Sequence, residues 1–451
     1  MAKKVVLIVI DGLTPAMLES AVEREDVPAL RFLVEHGEYG RAITTFPSLT
    51  PVCLSSLVTG AHPDVHRIPH LVWFHRGEPR LVEYGSSFSA IRAAGTTRAI
   101  RDAIFNMNQE HLSRNAVTLY ESLEGAGLVT AAVNMVCYRG PARHAATVPG
   151  VARPAFGPSR FFYYNLFESD VTGAPLAIRT RARGSVDEYA RVVGRWLVTR
   201  DGFDFLVFYL PDYDFASHSA GPGAAHAALA HADRAIVSLL EAAGGPDEFL
   251  ERYAVLLCSD HGQTLVEQSA RLQDAFADFR LFHPGNGRRA ELAVTASNRA
   301  GMVYRLPGCS AEPRDLAERL DGEPGGAVVL FRENGDAVAR VEGEELRFAP
   351  DAEGWRTSGD IGLLPQPDAL ERSWAALANP NAGDLIISAA PGVEFADLGG
   401  RHHVGGGSHG SLDLGDSEVP MISVGLGAPP ARIVDVAPRV LGHFGVPRRA
   451  S

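Results

Sequence analysis

Six uninterrupted apolar runs punctuate the chain: VVLIVI (5–10), VTAAVNMV (129–136), FDFLVFYL (203–210), YAVLLCS (253–259), DLIISAA (384–390) and PMISVGL (420–426). Their hydrophobic positions are continuous rather than alternating. That predicts strands buried on both faces, as in a parallel sheet covered by helices. Between the runs the period changes to that of a helix. The clearest case is AAHAALAHADRAIVSLLEAAGG (224–245), where Ala225, Leu229, Ala232, Ile236 and Leu240 share a stripe and Gly244-Gly245-Pro246 supplies the stop. Strand alternating with helix predicts an α/β fold, a mostly parallel central sheet with helices on both faces. Two stretches break the rhythm. Residues 61–115 contain the aromatic and polar HLVWFHRGEPRLVEYGSS, and residues 305–380 contain AVVLFRENGDAVARV, whose NGD predicts a hairpin turn. Both read as cap insertions on a single domain covering residues 1–451.

Composition narrows the function classes. A chain of 451 residues, 46% hydrophobic, can bury a large core. A net charge of −12 argues against a surface that tracks a nucleic-acid polymer, and it suits a carboxylate-rich metal site as well as plain solubility. Cys53, Cys137, Cys258 and Cys309 are scattered without a C-x-x-C pair, which predicts free thiols in a reducing compartment. The run in MAKKVVLIVIDG is short for a secretory signal, and no run approaches the roughly 20 residues of a membrane helix. The expectation is a cytoplasmic protein with no membrane partner.

Ligands of open α/β sheets gather at the carboxyl ends of the strands. Here Asp11-Gly12 follows the first run, PDYDFASHSAGP the third and Asp260-His261-Gly262 the fourth, while GGGSHGSLDLGD precedes the last. Asp214 and His218, four apart, share one face if helical. Carboxylate and imidazole without thiolate suit a catalytic zinc or manganese site better than a structural zinc. Asp212, two residues before Asp214, leaves a shifted register open, and His402 and His403 are rivals to His409. In FPSLTPVCLSSLVTG (46–60), Thr50 reads as an N-cap with Pro51 at the first helical position. A helix start favours an anion, yet on these residues alone Thr50 needs no role beyond capping.

Taken together, VIDG at the first strand, a Thr ten residues before the Gly of LVTG, D-x-x-x-H followed by Gly-Pro, SDHG and then GSHG resemble the alkaline phosphatase superfamily. The branch they resemble is that of the nucleotide pyrophosphatase/phosphodiesterases, or type I phosphodiesterases. The motifs keep the family's order across residues 5–425. The resemblance implies an alkaline-phosphatase-like core and two divalent metal ions, zinc or manganese. One ion would be held by Asp214, His218 and His409, the other by Asp11, Asp260, His261 and the Thr50 oxygen. It further implies a phosphodiesterase or pyrophosphatase that cleaves a small phosphorylated substrate through a phosphothreonine at Thr50. The sequence TPVCL departs from the C-x-P-x-R of sulfatases.

Two features depart from the branch. Pro51 stands where an aromatic usually follows the nucleophile, and Leu71 stands where the family has an Asn that hydrogen-bonds a phosphoryl oxygen. CYRGPARH (137–144), at a strand end, offers Arg139 as a bidentate phosphate contact and Tyr138 as a pocket wall, with His70 a third substrate-binding candidate. Rival functions are a phosphomonoesterase or phosphonate hydrolase of the same superfamily, and an inactive protein that binds metal and phosphate.

Overall fold

The computed structural model describes residues 2–148, 153–176, 185–284, 289–323 and 325–448. Among these residues Lys4–Ile10 lies near the middle of an eight-stranded sheet. Its order is Glu38–Ile43, Glu418–Val424, Tyr253–Cys258, Lys4–Ile10, Phe205–Leu210, Thr130–Val133, Arg160–Tyr163 and Phe167–Ser169. The five strands from Tyr253–Cys258 to Arg160–Tyr163 run parallel, and the outer pairings are antiparallel.

Alternate residues of the inner strands face opposite layers, as the pleat requires. Val6, Ile8, Ile10, Leu206 and Phe208 pack under the helices Pro15–Glu23, Pro28–His36, Val186–Thr199 and His226–Ala243. Val5, Leu7, Val9, Val207 and Leu256 pack under Thr50–Thr59, Leu119–Gly125 and Val436–His443. Both faces are dry, which is why the sequence runs are continuous. The helix predicted over 224–245 spans His226–Ala243 and ends at Gly244, whose φ is 115°. The carboxylate of its buried Asp233 accepts from Ala29 N and Leu30 N, at 3.3 and 2.8 Å, in the first turn of Pro28–His36.

Two of the runs behave differently from the prediction. Leu385–Ala389 is absent from the central sheet; it pairs antiparallel with Ala300–Arg305 and Gly326–Glu333 in a second, seven-stranded sheet. Glu418–Val424 is central but antiparallel to Tyr253–Cys258. Continuous hydrophobicity reports burial on both faces, and it is silent on which sheet or which direction. The second sheet reaches from Leu292 to Ala389, beyond the 305–380 stretch on both sides. Its NGD turn is as expected: Glu333 pairs with Asp336, leaving Asn334 and Gly335 at φ 52° and 92°.

Arg299, fully buried at the tip of the hairpin Leu292–Ser297 and Ala300–Arg305, ties this sheet to the loop after His409. It bridges Asp416 at 2.6 Å and Asp413 at 2.5 Å and donates to the carbonyls of Val393 and Ala390. Removing one partner of a buried ion pair strands the others' charge. Arg299→Ala is expected to cost about 3–5 kcal/mol in denaturant unfolding, and a loss under about 1 kcal/mol would show that the tie is not structural.

Candidate metal centre

The parallel register sets Ile10 beside Leu210 and Val9 beside Cys258, so three strands leave the sheet at one level. Asp11 follows at once. Asp214 and His218 lie on the helix Asp212–Ala220, which begins two residues beyond its strand. Asp260 and His261 follow the third strand. The short pairing of Thr264–Leu265 with Gly407–Ser408 then brings His409 alongside. Glycines allow the crowding. A Cβ at Gly12 would lie 2.6 Å from Gln263 Nε2 and 2.8 Å from Asp214 Oδ1, and one at Gly406 would lie 1.9 Å from the His218 carbonyl.

Two overlapping triads result. One ligand atom from each of Asp214, His261 and His409 lies within 4.8 Å of the other two, and so do atoms of Asp11, Asp260 and His261. His218 Nε2 joins the first triad at 3.2 Å from Asp214 Oδ2. His261 Nε2 stands 3.2 Å from Asp11 Oδ1 and 3.5 Å from Asp260 Oδ2, and the His261 and His409 rings stack 3.6 Å apart. Each imidazole is held from behind. Nδ1 of His218 faces the Gly407 carbonyl at 2.8 Å, that of His261 the Gly262 carbonyl at 3.0 Å and that of His409 the Ser48 carbonyl at 2.8 Å. With Nδ1 committed to a carbonyl, each Nε2 faces inward and offers its lone pair to a cation once any proton on it is lost, as metal-binding histidines require. Tyr209 Oη–H donates to Asp11, and Gln263 Nε2–H donates to Asp214.

Thr50 is not a cap. The cap position falls on Leu49, and no side chain caps the helix Thr50–Thr59. Instead Thr50 Oγ1 lies 3.1 Å from His261 Nε2. The residue is thus half-buried at a helix start with its hydroxyl turned into the cluster.

These groups fit divalent cations. Asp11 Oδ1 and Asp260 Oδ2 are buried without a hydrogen-bond partner, a costly state that a cation between them relieves. Burial and the Asp11 carboxylate push the Asp260 carboxyl well above its usual range. Burial also raises Asp214, but the nearby His218, His409 and His261 more than offset this and hold it low. Burial opposes charge on the imidazoles, yet Asp214 pushes His218 up to about 8, and Asp260 with Asp11 pushes His261 up to about 10. His409 goes the other way, well below its ordinary value, through burial and the charge of His261.

Of the two aspartates, Asp214 lies in the cluster. Asp212 instead accepts from Ser185 Oγ and from Val186 N and Asp187 N, at the start of Val186–Thr199. His403 is held by Glu394 at 2.6 Å and stacks on His218, while His402 is exposed.

The expected substrate contacts need correction. Arg139 is buried, with every guanidinium N–H engaged: Nε and Nη2 on Glu121, Nη1 on the Leu112 and Ser113 carbonyls, Nη2 also on the Ala116 carbonyl. It has no donor left for phosphate. Tyr138 is fully buried against Phe161 and Tyr163 and donates to the Ile104 carbonyl, so it belongs to the core. His70 is also buried, its Nδ1 accepting from Val72 N, and burial lowers it to about 4. Sequence reasoning missed Gln263, Tyr209 and Asn298, whose Nδ2 lies 2.8 Å from His409 Nε2. Gln263 follows the SDHG motif directly, a signal that could have been read.

The sequence profile of the family described as type I phosphodiesterase / nucleotide pyrophosphatase matches residues 5–412. No curated protein sequence matches the chain. Among solved structures, phosphonoacetate hydrolase from Sinorhizobium meliloti 1021 in complex with phosphonoformate is 18% identical, with a TM-score of 0.62 over 99% of this chain and 95% of that one. Murine ectonucleotide pyrophosphatase/phosphodiesterase 5, in an inactive form with AMP, is 12% identical, with a TM-score of 0.62 over 100% and 97%. The human form of the latter is 14% identical, with a TM-score of 0.60 over 100% and 97%. At these identities the likeness establishes a shared fold. Among the described residues no helix is long and apolar enough to cross a membrane.

The raised His218 and His261 hold protons at neutral pH in the metal-free protein, and ligation must expel them. A divalent cation taken up by these ligands should therefore bind more tightly as the pH rises through this range. Calorimetric titration in buffers of different ionisation enthalpy should record release of about one to two protons per molecule at pH 7. Binding without proton release, at an affinity independent of pH, would place the ion elsewhere.

Proposed function

Since this chain belongs to the type I phosphodiesterase / nucleotide pyrophosphatase family, hydrolases of phosphoester bonds, we propose that it is a two-metal phosphodiesterase acting on a small phosphorylated substrate through Thr50. Asp214, His218 and His409 would hold one divalent cation, and Asp11, Asp260, His261 and the Thr50 oxygen the other. Oxygen and imidazole ligands favour zinc, with manganese the alternative. Such a pair, when bound, polarises phosphoryl oxygens and lowers the pKa of a ligated hydroxyl. The observation that carries the reading is the Thr50 hydroxyl, free of any capping role and 3.1 Å from His261 Nε2 among orphaned carboxylate oxygens.

The chain's own residues then act in sequence. The start of Thr50–Thr59 turns the positive end of the helix toward the anion. Pro51 carries no N–H and the Val52 and Cys53 amides donate to the Leu49 carbonyl, so the field and the Thr50 hydroxyl act there rather than a row of free amides. Thr50 Oγ attacks phosphorus in line. The P–O bond to the leaving alcohol breaks, its electron pair departs with that oxygen, which takes up a proton in place of the one Thr50 gives up, and a phosphothreonine still bearing the second ester group remains. Water then attacks the same phosphorus from the vacated side; the bond to Thr50 Oγ breaks, a phosphomonoester is freed, and one of the water's protons restores the Thr50 hydroxyl. The four unpaired cysteines support a reducing, cytoplasmic setting.

A second reading, hydrolysis of a P–C bond in a carboxylated phosphonate, draws on Pro51 in the place of a base-gripping aromatic and on the likeness to phosphonoacetate hydrolase. Release of phosphate from phosphonoacetate in preference to turnover of bis-p-nitrophenyl phosphate would select it. The proposed phosphodiesterase turns over bis-p-nitrophenyl phosphate well above p-nitrophenyl phosphate.

Thr50→Ala should retain both metals by elemental analysis and lose turnover by on the order of 10³-fold or more. Near-normal turnover in that variant would remove the covalent route. Asp260→Ala should lose metal and activity together, because it deletes a buried ligand to one ion and unbalances its neighbours.

A further inference from the structure

The hairpin that carries Arg299 also delivers a side chain to the cluster. Ser297 pairs with Ala300, leaving Asn298 and Arg299 as a two-residue turn, and Asn298 adopts a φ of 56°. The backbone there would accept glycine equally well. The carboxamide, however, is buried and bonded at both ends. Its Oδ1 accepts from Ser297 Oγ at 3.3 Å, and its Nδ2 donates to His409 Nε2 at 2.8 Å. Because His409 Nδ1–H is committed to the Ser48 carbonyl, Nε2 is an acceptor, and it is this bond that sets the carboxamide's orientation, since the Ser297 hydroxyl can serve either end. The tip itself is pinned, with Phe395 N donating to the Asn298 carbonyl at 2.7 Å and Arg299 N to the His409 carbonyl at 2.8 Å.

Resting on the phosphoesterase reading above, we propose that Asn298 donates a hydrogen bond to a non-bridging phosphoryl oxygen of the substrate, the contact for which this chain has Leu71 in place of a polar residue. The His409 Nε2 lone pair it now faces is the one a cation takes. Once a cation takes it, the amino group, now 2.8 Å from that nitrogen, must turn aside to another acceptor, and an unmet buried donor is costly. A phosphoryl oxygen restores the bond. Two other candidates are unavailable: Leu71 is apolar and packs against the core, and Arg139 has every N–H engaged. Asn298 comes from the second sheet, so the residue that grips phosphate belongs to a different layer from those that hold metal.

The test compares the zinc-loaded full chain with Asn298→Gly, which deletes the side chain and tolerates the turn's φ, and Asn298→Asp, which keeps the shape and replaces the donor with an acceptor. The measurements are metal content, thermal melting, calorimetric affinity for inorganic phosphate, and kcat and KM for bis-p-nitrophenyl phosphate. Both variants should keep the wild-type metal content. Phosphate affinity should fall about tenfold or more in Asn298→Gly and further in Asn298→Asp, with kcat/KM falling in parallel. Should the glycine variant not fold, the aspartate variant carries the same test. Unchanged phosphate affinity would overturn the proposal, as would loss of metal, which would make Asn298 a support for His409. A wild-type protein that binds zinc but turns over no ester would instead overturn the phosphoesterase reading itself, and this proposal with it.

Discussion

Asp11, Asp214 and Asp260 are buried at the ends of adjacent strands, and three carboxylates cannot stay ionised side by side in a dry site without positive charge between them. The architecture around them answers that constraint. Parallel pairing in strict register brings the strand ends level, three imidazoles are locked with Nε2 inward, and Tyr209 and Gln263 fix individual carboxylate oxygens. What remains unpaired, Asp11 Oδ1 and Asp260 Oδ2, faces the space where positive charge is wanted. Thr50 enters this field at a helix start, and the same field that attracts cations can make its hydroxyl a nucleophile.

The second sheet acts on the cluster without supplying any of its carboxylates. Its hairpin tip inserts Arg299 between Asp413 and Asp416, and Asp416 in turn accepts from Ser411 N at 2.9 Å and Ser411 Oγ at 2.7 Å, on the loop that has just presented His409. One turn therefore both fixes the His409 loop and sets Asn298 against the His409 ring. The proposed metal ligand His409 and the proposed phosphate donor Asn298 thus meet at one two-residue turn.

Much of this was legible in the linear sequence, because two kinds of signal were strong. Runs such as VVLIVI and YAVLLC announce burial on both faces, and carboxylates or histidines directly after them announce a strand-end site. The remainder was hidden for identifiable reasons. DLIISAA looks like a central strand because burial has no sheet label. Arg139 looked like a phosphate clamp because Glu121 and three carbonyls that consume its donors lie 18 to 27 residues away in sequence. Asn298 carries no motif at all; its neighbours on the page are two ordinary strands, and only folding brings it to a histidine 111 residues downstream.

Anomalous diffraction at the zinc edge, from crystals of the zinc-loaded protein, tests the central claim most directly. It should give two peaks, one ringed by Asp214, His218 and His409 and the other by Asp11, Asp260 and His261 with Thr50 Oγ1 against it. A cluster that stays free of anomalous signal, or a Thr50 hydroxyl turned back to cap its own helix, would contradict the account.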